Sequence, residues 1–431
     1  MPEKNLIEEL KWRGMVQEAM PGLEEQLAKE MTAGYIGFDP TAHSLHIGNL
    51  ATLMLLKHLQ LAGHKPIALV GGATGMVGDP SGKSAERNLL DEETLRRNQD
   101  GVKQQLQKFL DFDSDAENTA LLLNNYDWFK EFSFLGFLRD VGKHISINYM
   151  TAKESVRNRL EAGLSFTEFS YQLLQGYDFY WLYKNHNVRL QMGGSDQWGN
   201  ITTGTELIRR MDGGSAYALT CPLVTKADGS KFGKSEQGNV WLDADLTSPY
   251  QFYQFWINAS DEDAPKLIRV YTLLSKEEIE ELEAQHAEAP HKRILQEAIA
   301  EDVTVRVHGR KAYEKAVAAS KILFDKKATF KDLCTIDAQN WKGIAQELPS
   351  INIKREMLEN NEDAATLLSS VMDGLVFSSK SEATRMIKQG GVSINKEKLQ
   401  DPKAKVAPSY IHDQYVLVQQ GKKKFFLLIV E

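Results

Sequence analysis

The sequence predicts an α/β architecture: a mainly parallel sheet with helical crossovers, then a wholly helical stretch, then a small α+β tail. Three observations carry this expectation. Over the first ~220 residues, short apolar runs alternate with longer segments of helical period, as in strand–helix–strand units. Over 247–320 the strand-like runs disappear. Beyond residue 364 the pattern changes again, to a capped helix followed by glycine-punctuated strands.

Taken in order, strands are expected at 34–39, 66–71, 120–123 and 188–192, and helices at 50–62, 92–110 and 196–211. The stretch 126–183 is rich in Phe, Tyr and Trp and reads as helical; it forms an insertion of about 125–185 that lines a pocket, a subunit contact, or both. These elements make a first domain of 1–246, followed by a helical domain of 247–320. Ser275 with Glu277 and Glu278 marks a helix start there, with acids in its first turn. Weak periodicity over 321–363 suggests a linker with short elements. In the last domain, 364–431, the run Phe377 to Arg385 enters a helix, Gly390 to Asn395 turns into a strand, and a hairpin closes around Gly421.

Composition excludes several classes. A chain of 431 residues, 42% apolar and 26% charged, is that of a soluble multidomain protein. No apolar run approaches the ~20 residues needed to span a bilayer, and the N-terminal residues mix acids with apolar side chains, unlike a signal peptide. A cytoplasmic location without membrane contact is expected. Cys221 and Cys334 stand alone and supply neither a disulfide framework nor a metal cluster. The net charge of −8 is uneven: from Ala365 onward ten basic residues face six acidic ones, a surplus of +4, which leaves −12 on the rest. A basic module on an acidic body suits a polyanion such as RNA, although solvated surface charge alone gives the same imbalance.

Two short motifs share one chemical purpose. His46-Ile47-Gly48-Asn49 follows an expected strand and opens an expected helix, so backbone N–H groups near Gly48 and the positive end of a helix dipole are available to phosphate. Some 185 residues on, Lys231-Phe232-Gly233-Lys234-Ser235 brings two lysines on a glycine-bearing loop. The run Gly78 to Ser84 resembles a phosphate loop but fails its spacing, because Val77 stands five positions before Gly82. Gly71, Gly72, Gly75 and Gly78 still offer close backbone approach to a ligand, and Asp79 a carboxylate for a cation at the sheet's carboxyl edge. Tyr171, Gln175 and Asp178 fall at i, i+4 and i+7, one helix face.

With Tyr35 to Asn49, Gly78 to Lys83, Tyr171 to Asp178 and Gln191 to Gln197, these motifs resemble bacterial tyrosyl-tRNA synthetases of class I over essentially the whole chain. The resemblance implies a Rossmann-like catalytic domain, a helical domain on the anticodon side, and a terminal RNA-binding domain of the ribosomal-protein-S-four type. It implies two steps, adenylation of L-tyrosine by ATP and transfer to tRNA-Tyr, by a homodimer, with Mg²⁺ accompanying ATP and no dedicated protein site for the metal. By resemblance, Thr41 and His46 contact the terminal phosphate, while Lys231 and Lys234 clamp departing pyrophosphate and Lys83 and Arg87 close from the opposite loop. Tyr171, Gln175 and Asp79 hold the substrate ammonium; Tyr35 and Asp178 hold its phenolic hydroxyl; Gln197 meets the carboxylate region. Asp39, Gly48, Asn49, Gly194, Asp196 and Ser235 complete the ATP site, Asp196 toward ribose. Lys380, Arg385, Lys388 and Lys396 are the expected phosphate contacts of the RNA-binding tail.

The sequence departs from the family pattern twice. Asn49 stands where a second histidine is usual, which retains a hydrogen bond to ribose but excludes proton transfer. Phe232-Gly233 stands where many class I enzymes carry Met-Ser. Two rivals share the scaffold: a tryptophanyl-type enzyme, for which Tyr35 with Asp178 would have no hydroxyl to read, and an idle RNA-binding protein, which would not need His46, Lys231 and Lys234.

Overall fold

The computed structural model describes residues 5–79, 92–153, 156–157, 163–230, 232–235, 238–421 and 424–431. The chain divides into two units, Met1–Asp243 with Ala259–Val307, and Ala244–Asn258 with His308–Glu431.

The first unit is built on a six-stranded sheet. Its order is β1 (Glu18–Ala19), β6 (Tyr217–Cys221), β5 (Val188–Gly194), β2 (Ala33–Phe38), β3 (Lys65–Val70), β4 (Leu121–Asn124). Every pair is parallel except β1 with β6. β3 shows why: after Lys65 all its residues are buried, as a strand covered on both faces requires. The expected strands stand within a residue or two of their places. β1 and β6 add to them; β1 has two exposed residues and β6 is a short run without alternation, so neither carries a strand signal.

The helix expected from Leu50 begins earlier, at Ile47, and runs to Leu61. His46 is its N-cap, so Ile47, Gly48 and Asn49 form the first turn. A 3₁₀ turn, Ser195–Gln197, precedes the helix Trp198–Asp212, whose expected start is Asp196. The aromatic insertion is helical, with short helices Tyr126–Phe129, Phe134–Asp140 and Ile147–Thr151 and the long helix Phe166–His186. The last is started by a capping box between Ser165 and Glu168. A small antiparallel ribbon, β7 (Lys234–Ser235) with β8 (Gly238–Asn239), carries the second lysine motif.

The helices expected over 247–320 are present and divide between the units, with Pro249–Ile257 and Arg310–Phe324 in the second. Ser275 caps Lys276–Glu288 through Glu278. The second unit holds a five-stranded sheet, β11 (Glu397–Lys398), β10 (Val392–Ile394), β12 (Tyr415–Gln420), β13 (Lys424–Val430), β9 (Ser350–Ile353). β9 comes from the stretch that reads as a linker: it pairs in parallel with β13, and Leu358 is buried in the same core as Phe377, Val416 and Leu428. Its burial alternates and Ile353 is in the core, but four residues are too short a run to stand out in a weakly periodic stretch. The tail helix Lys380–Lys388 is capped by Ser379, and β12 and β13 form the expected hairpin.

Candidate active site

In the first unit a cavity of about 490 Å³ opens at the carboxyl ends of β2, β3 and β5. Strand order reverses between β2 and β5, so the loops leaving them diverge and leave a crevice. The volume suits a small ligand rather than a macromolecule.

The inner end is fixed by buried side chains. Asp178 is 2% exposed; its Oδ1 accepts from Trp128 Nε1 at 2.9 Å and its Oδ2 from Asn125 Nδ2 at 3.0 Å. Trp128 is itself held by stacking on Trp181, 4.1 Å between ring centroids. Burial raises the Asp178 carboxyl to about 8, against the two donated hydrogen bonds that favour its ionised form. Tyr35 lies in the same pocket, 1% exposed, with Phe179 edge-on to its ring. Its hydroxyl has no hydrogen-bond partner among the described residues. Burial and the nearby Asp178 push the phenol well above its ordinary pKa, so it stays protonated.

A chain of hydrogen bonds runs outward from this point. Asn125 Nδ2 also donates to Thr74 Oγ1 at 3.0 Å, Thr74 donates to Asp39 Oδ1 at 2.8 Å, and Tyr171 donates to Asp39 Oδ2 at 2.8 Å. Gly71 makes this possible: a Cβ there would lie 2.1 Å from Asp39 Oδ1 and 2.4 Å from Thr74 Oγ1. Gly71 also lines the cavity, and the absence of a side chain there is what lets Asp39 and Thr74 meet beside it. Asn125 anchors the chain through its Oδ1, which accepts from Ala73 N–H at 2.7 Å.

A second cluster forms beside it. Gln197 Nε2 donates to Asp79 Oδ2 at 2.7 Å, and Asn200 Nδ2 reaches Gln175 Oε1 at 3.0 Å and Gln197 Oε1 at 3.3 Å. Asp79, Gln175 and Gln197 thus meet around Asn200, 3% exposed, with Tyr171 lining the same wall. Two amide oxygens and an aspartate carboxylate in one cluster suit an ammonium group.

The outer end belongs to the first motif, and Thr41, Gly48, Asn49, Gly194 and Asp196 line it. Asn49 Oδ1 accepts from the His46 N–H at 3.1 Å, closing the helix's first turn. Its carbonyl is engaged inside the motif, and its amide NH₂ is a donor it can offer a ligand. The two motifs are stitched together through main chain. Leu242 N–H donates to Leu45 at 2.8 Å, Ile47 N–H to Val240 at 3.0 Å, and Val240 N–H to Gly233 at 3.0 Å. His46 is bridged to Trp241, whose ring stands 5.7 Å from the imidazole.

Lys83, Arg87 and Lys231 lie outside the described residues, as do the side chains of Lys234 and Ser235. In the second unit, Arg385 and Lys388 are exposed, and Lys380 pairs with Asp363 at 2.7 Å. Lys396 is different: its half-buried ammonium donates to the carbonyls of Leu323 and Asp325 at 2.6 and 3.1 Å. Cys221 is buried at the end of β6, with its thiol pushed up to about 12 by burial and by Asp196.

Thr74, Asn125, Trp128 and Asn200 belong to the site without belonging to any motif. The signal for Asn125 is its place just beyond β4, at the sheet edge where such folds bind ligands. Asn200 stands three residues after Gln197, one turn along the same face.

Residues 27–325 match the family described as tRNA synthetases class I (W and Y). Residues 341–428 match a tyrosine--tRNA ligase SYY-like C-terminal domain. The tyrosine--tRNA ligase of Cytophaga hutchinsonii is 60% identical over 425 residues, 99% of either chain, and that of Porphyromonas gingivalis is 59% identical over 99% of this chain and 100% of its own. Among solved structures, a C-terminally truncated mitochondrial tyrosyl-tRNA synthetase from Coccidioides posadasii superposes with a TM-score of 0.64 at 29% identity, covering 73% of this chain and 91% of that one. The fold and the site define a class I aminoacyl-tRNA synthetase. Within that class, the chain belongs to the tyrosine--tRNA ligases.

Proposed function

We infer that this chain activates L-tyrosine with ATP and transfers it to the 3′ end of tRNA-Tyr. The observation that carries the choice of amino acid is the Tyr35 hydroxyl, buried beside Asp178 at the inner end of the pocket without a partner among the described residues. Such a group costs about 1–3 kcal/mol, which a ligand hydroxyl relieves and a phenylalanine ring does not. A phenol placed there puts its amino-acid end near Asp79, Tyr171 and Gln175, which hold the ammonium, with Gln197 toward the carboxylate.

A tyrosine carboxylate oxygen then attacks the α-phosphorus, and the bond to the bridging oxygen breaks as pyrophosphate leaves. Charge accumulates on the phosphates, so positioned donors supply the catalysis. The first turn of the helix at Gly48, with Thr41 and His46, faces them; Lys231 and Lys234 hold the leaving pyrophosphate, with Lys83 and Arg87. Asp39, Asn49, Gly194, Asp196 and Ser235 bind the nucleoside side, and Mg²⁺ arrives with ATP as part of the substrate. In the second step a terminal ribose hydroxyl of the tRNA attacks the acyl carbon, and AMP leaves. Arg385 and Lys388, with Lys380, are the cations of the tail offered to RNA; Lys396 is committed to Leu323 and Asp325.

A homodimer fits the exposed apolar residues of the insertion. Phe134, Leu135, Ile147 and Phe166 are 65–76% exposed, an apolar surface that a second copy would cover. The site of action is the cytoplasm, where tRNA is charged. Amino-acid-dependent exchange of labelled pyrophosphate into ATP tests the reading across the twenty amino acids. Exchange with tyrosine alone is expected; exchange with tryptophan instead, or with none, overturns it.

A further inference from the structure

Phe232 and Gly233, where the second motif leaves the common pattern, are the residues by which it is held. Phe232 is 8% exposed, and its ring lies 5.8 Å from that of Tyr271, the fully buried last residue of the helix Ala264–Tyr271. At the other end of that helix, Asp263 Oδ1 accepts from Ala227 N–H at 2.8 Å. Ala227 belongs to the turn between Val224 and Phe232, which is closed by Phe232 N–H on the Val224 carbonyl at 3.1 Å. One helix therefore grips the base of the second motif at both ends. That helix is itself pinned. Arg13, 3% exposed, donates to the carbonyls of Arg269, Thr272 and Leu274 at 2.7–3.0 Å, which satisfies acceptors at its C-terminus.

Gly233 then meets the first motif. Its φ is +91°, and a Cβ built there would lie 3.1 Å from the Gly48 nitrogen and 3.4 Å from Ile47 Cβ. A serine at 233, as in the common pattern, would be strained in its backbone and would crowd the helix N-terminus that serves as a phosphate site.

We propose that Phe232, seated on Tyr271, is a positioning residue for phosphoryl transfer: it sets Gly233 against Gly48, so that the two motifs form one phosphate cradle. Phe232 is not among the residues that line the cavity, and it acts through the main chain that leads to Lys234. The proposal rests on the ATP-activation reading above. Its test is the KM-against-kcat split in pyrophosphate exchange, with tyrosine affinity measured separately by equilibrium dialysis without ATP. Phe232→Ala should lower kcat for exchange on the order of 10- to 100-fold, raise the KM for ATP, and leave the tyrosine Kd within about twofold, because the inner pocket is held independently. Phe232→Met, which refills the seat on Tyr271, should restore most of the rate. Asp263→Ala, which releases the other end of the grip, should give a smaller loss of kcat in the same direction with the tyrosine Kd unmoved. Wild-type exchange that does not depend on tyrosine would sink the functional reading. Wild-type exchange with an unaffected Phe232→Ala rate, or a loss of tyrosine affinity parallel to the loss of rate in both variants, would sink the anchor alone.

Discussion

The two ends of the pocket are built from different materials. At the inner end, buried side chains are tied to one another: Trp128 and Asn125 on Asp178, Asn125 on Thr74, Thr74 and Tyr171 on Asp39. At the outer end, the two motifs are joined through main chain, from Leu45 and Ile47 to Val240 and Leu242, and from Val240 to Gly233. Side-chain networks in a low-dielectric interior penalise a ligand that leaves a member unsatisfied, which suits the reading of one hydroxyl. Phosphate recognition needs donors and charge at fixed places but little chemical discrimination, and backbone groups at a helix N-terminus supply both.

The largest effect expected at the inner end follows from removing its central acceptor. Asp178→Ala leaves Trp128 without its acceptor and Asn125 with Thr74 alone, and under the proposed reading withdraws a partner from the substrate hydroxyl. Tyrosine affinity, measured by equilibrium dialysis, should fall on the order of 100-fold or more. An unchanged Kd would mean that the phenol is read elsewhere.

A smaller, crossed pair of changes tests whether the ends are independent. Asn125→Ala cuts the bonds to Asp178 and Thr74 while touching nothing in either motif, so it should weaken tyrosine binding on the order of tenfold. Gly48→Ala acts at the other end, because its Cβ would lie 2.8 Å from His46 Cε1 and 2.9 Å from Nδ1, displacing the imidazole. It should depress kcat for pyrophosphate exchange on the order of tenfold and leave the tyrosine Kd unmoved. If both variants shifted both quantities alike, the division between the ends would be lost.

The same division explains what is legible in the sequence. Outer-end residues sit in short continuous motifs, so the order of residues alone marks His46, Gly48 and Asn49 as a strand-to-helix turn. At the inner end, Asp178 and Tyr171 are legible from helical spacing, because i, i+4 and i+7 share a face. Their supports are not: Thr74 and Asn125 arrive from separate loops after β3 and β4, and only the sheet brings them together. Asn49 shows the limit from the other side. Its identity is plain, but its service to the His46 N–H depends on the helix starting at Ile47 rather than Leu50. β9 is hidden for a similar reason, since its partner β13 lies some 70 residues away.

The last effect expected is a matter of pH, and it separates burial from hydrogen bonding at Asp178. Its folded pKa, about 8, stands far above the ordinary carboxyl value. Below about pH 3 the side chain is protonated whether the chain is folded or not, so its titration costs the fold nothing. As pH rises toward 8 the unfolded chain releases a proton that the folded chain retains, and stability falls across that window. Above it both states are ionised and the slope ends. Asp178→Asn removes the titration. Asparagine offers one oxygen where Trp128 and Asn125 both donate, so the variant carries a constant penalty at every pH. The informative quantity is therefore the slope. The Tm of the variant minus that of wild type should rise by a few degrees between pH 5 and pH 8. A difference that stays flat would mean that the two donors hold Asp178 ionised in the fold, and that the inner end reads its hydroxyl with a carboxylate rather than with a carboxylic acid.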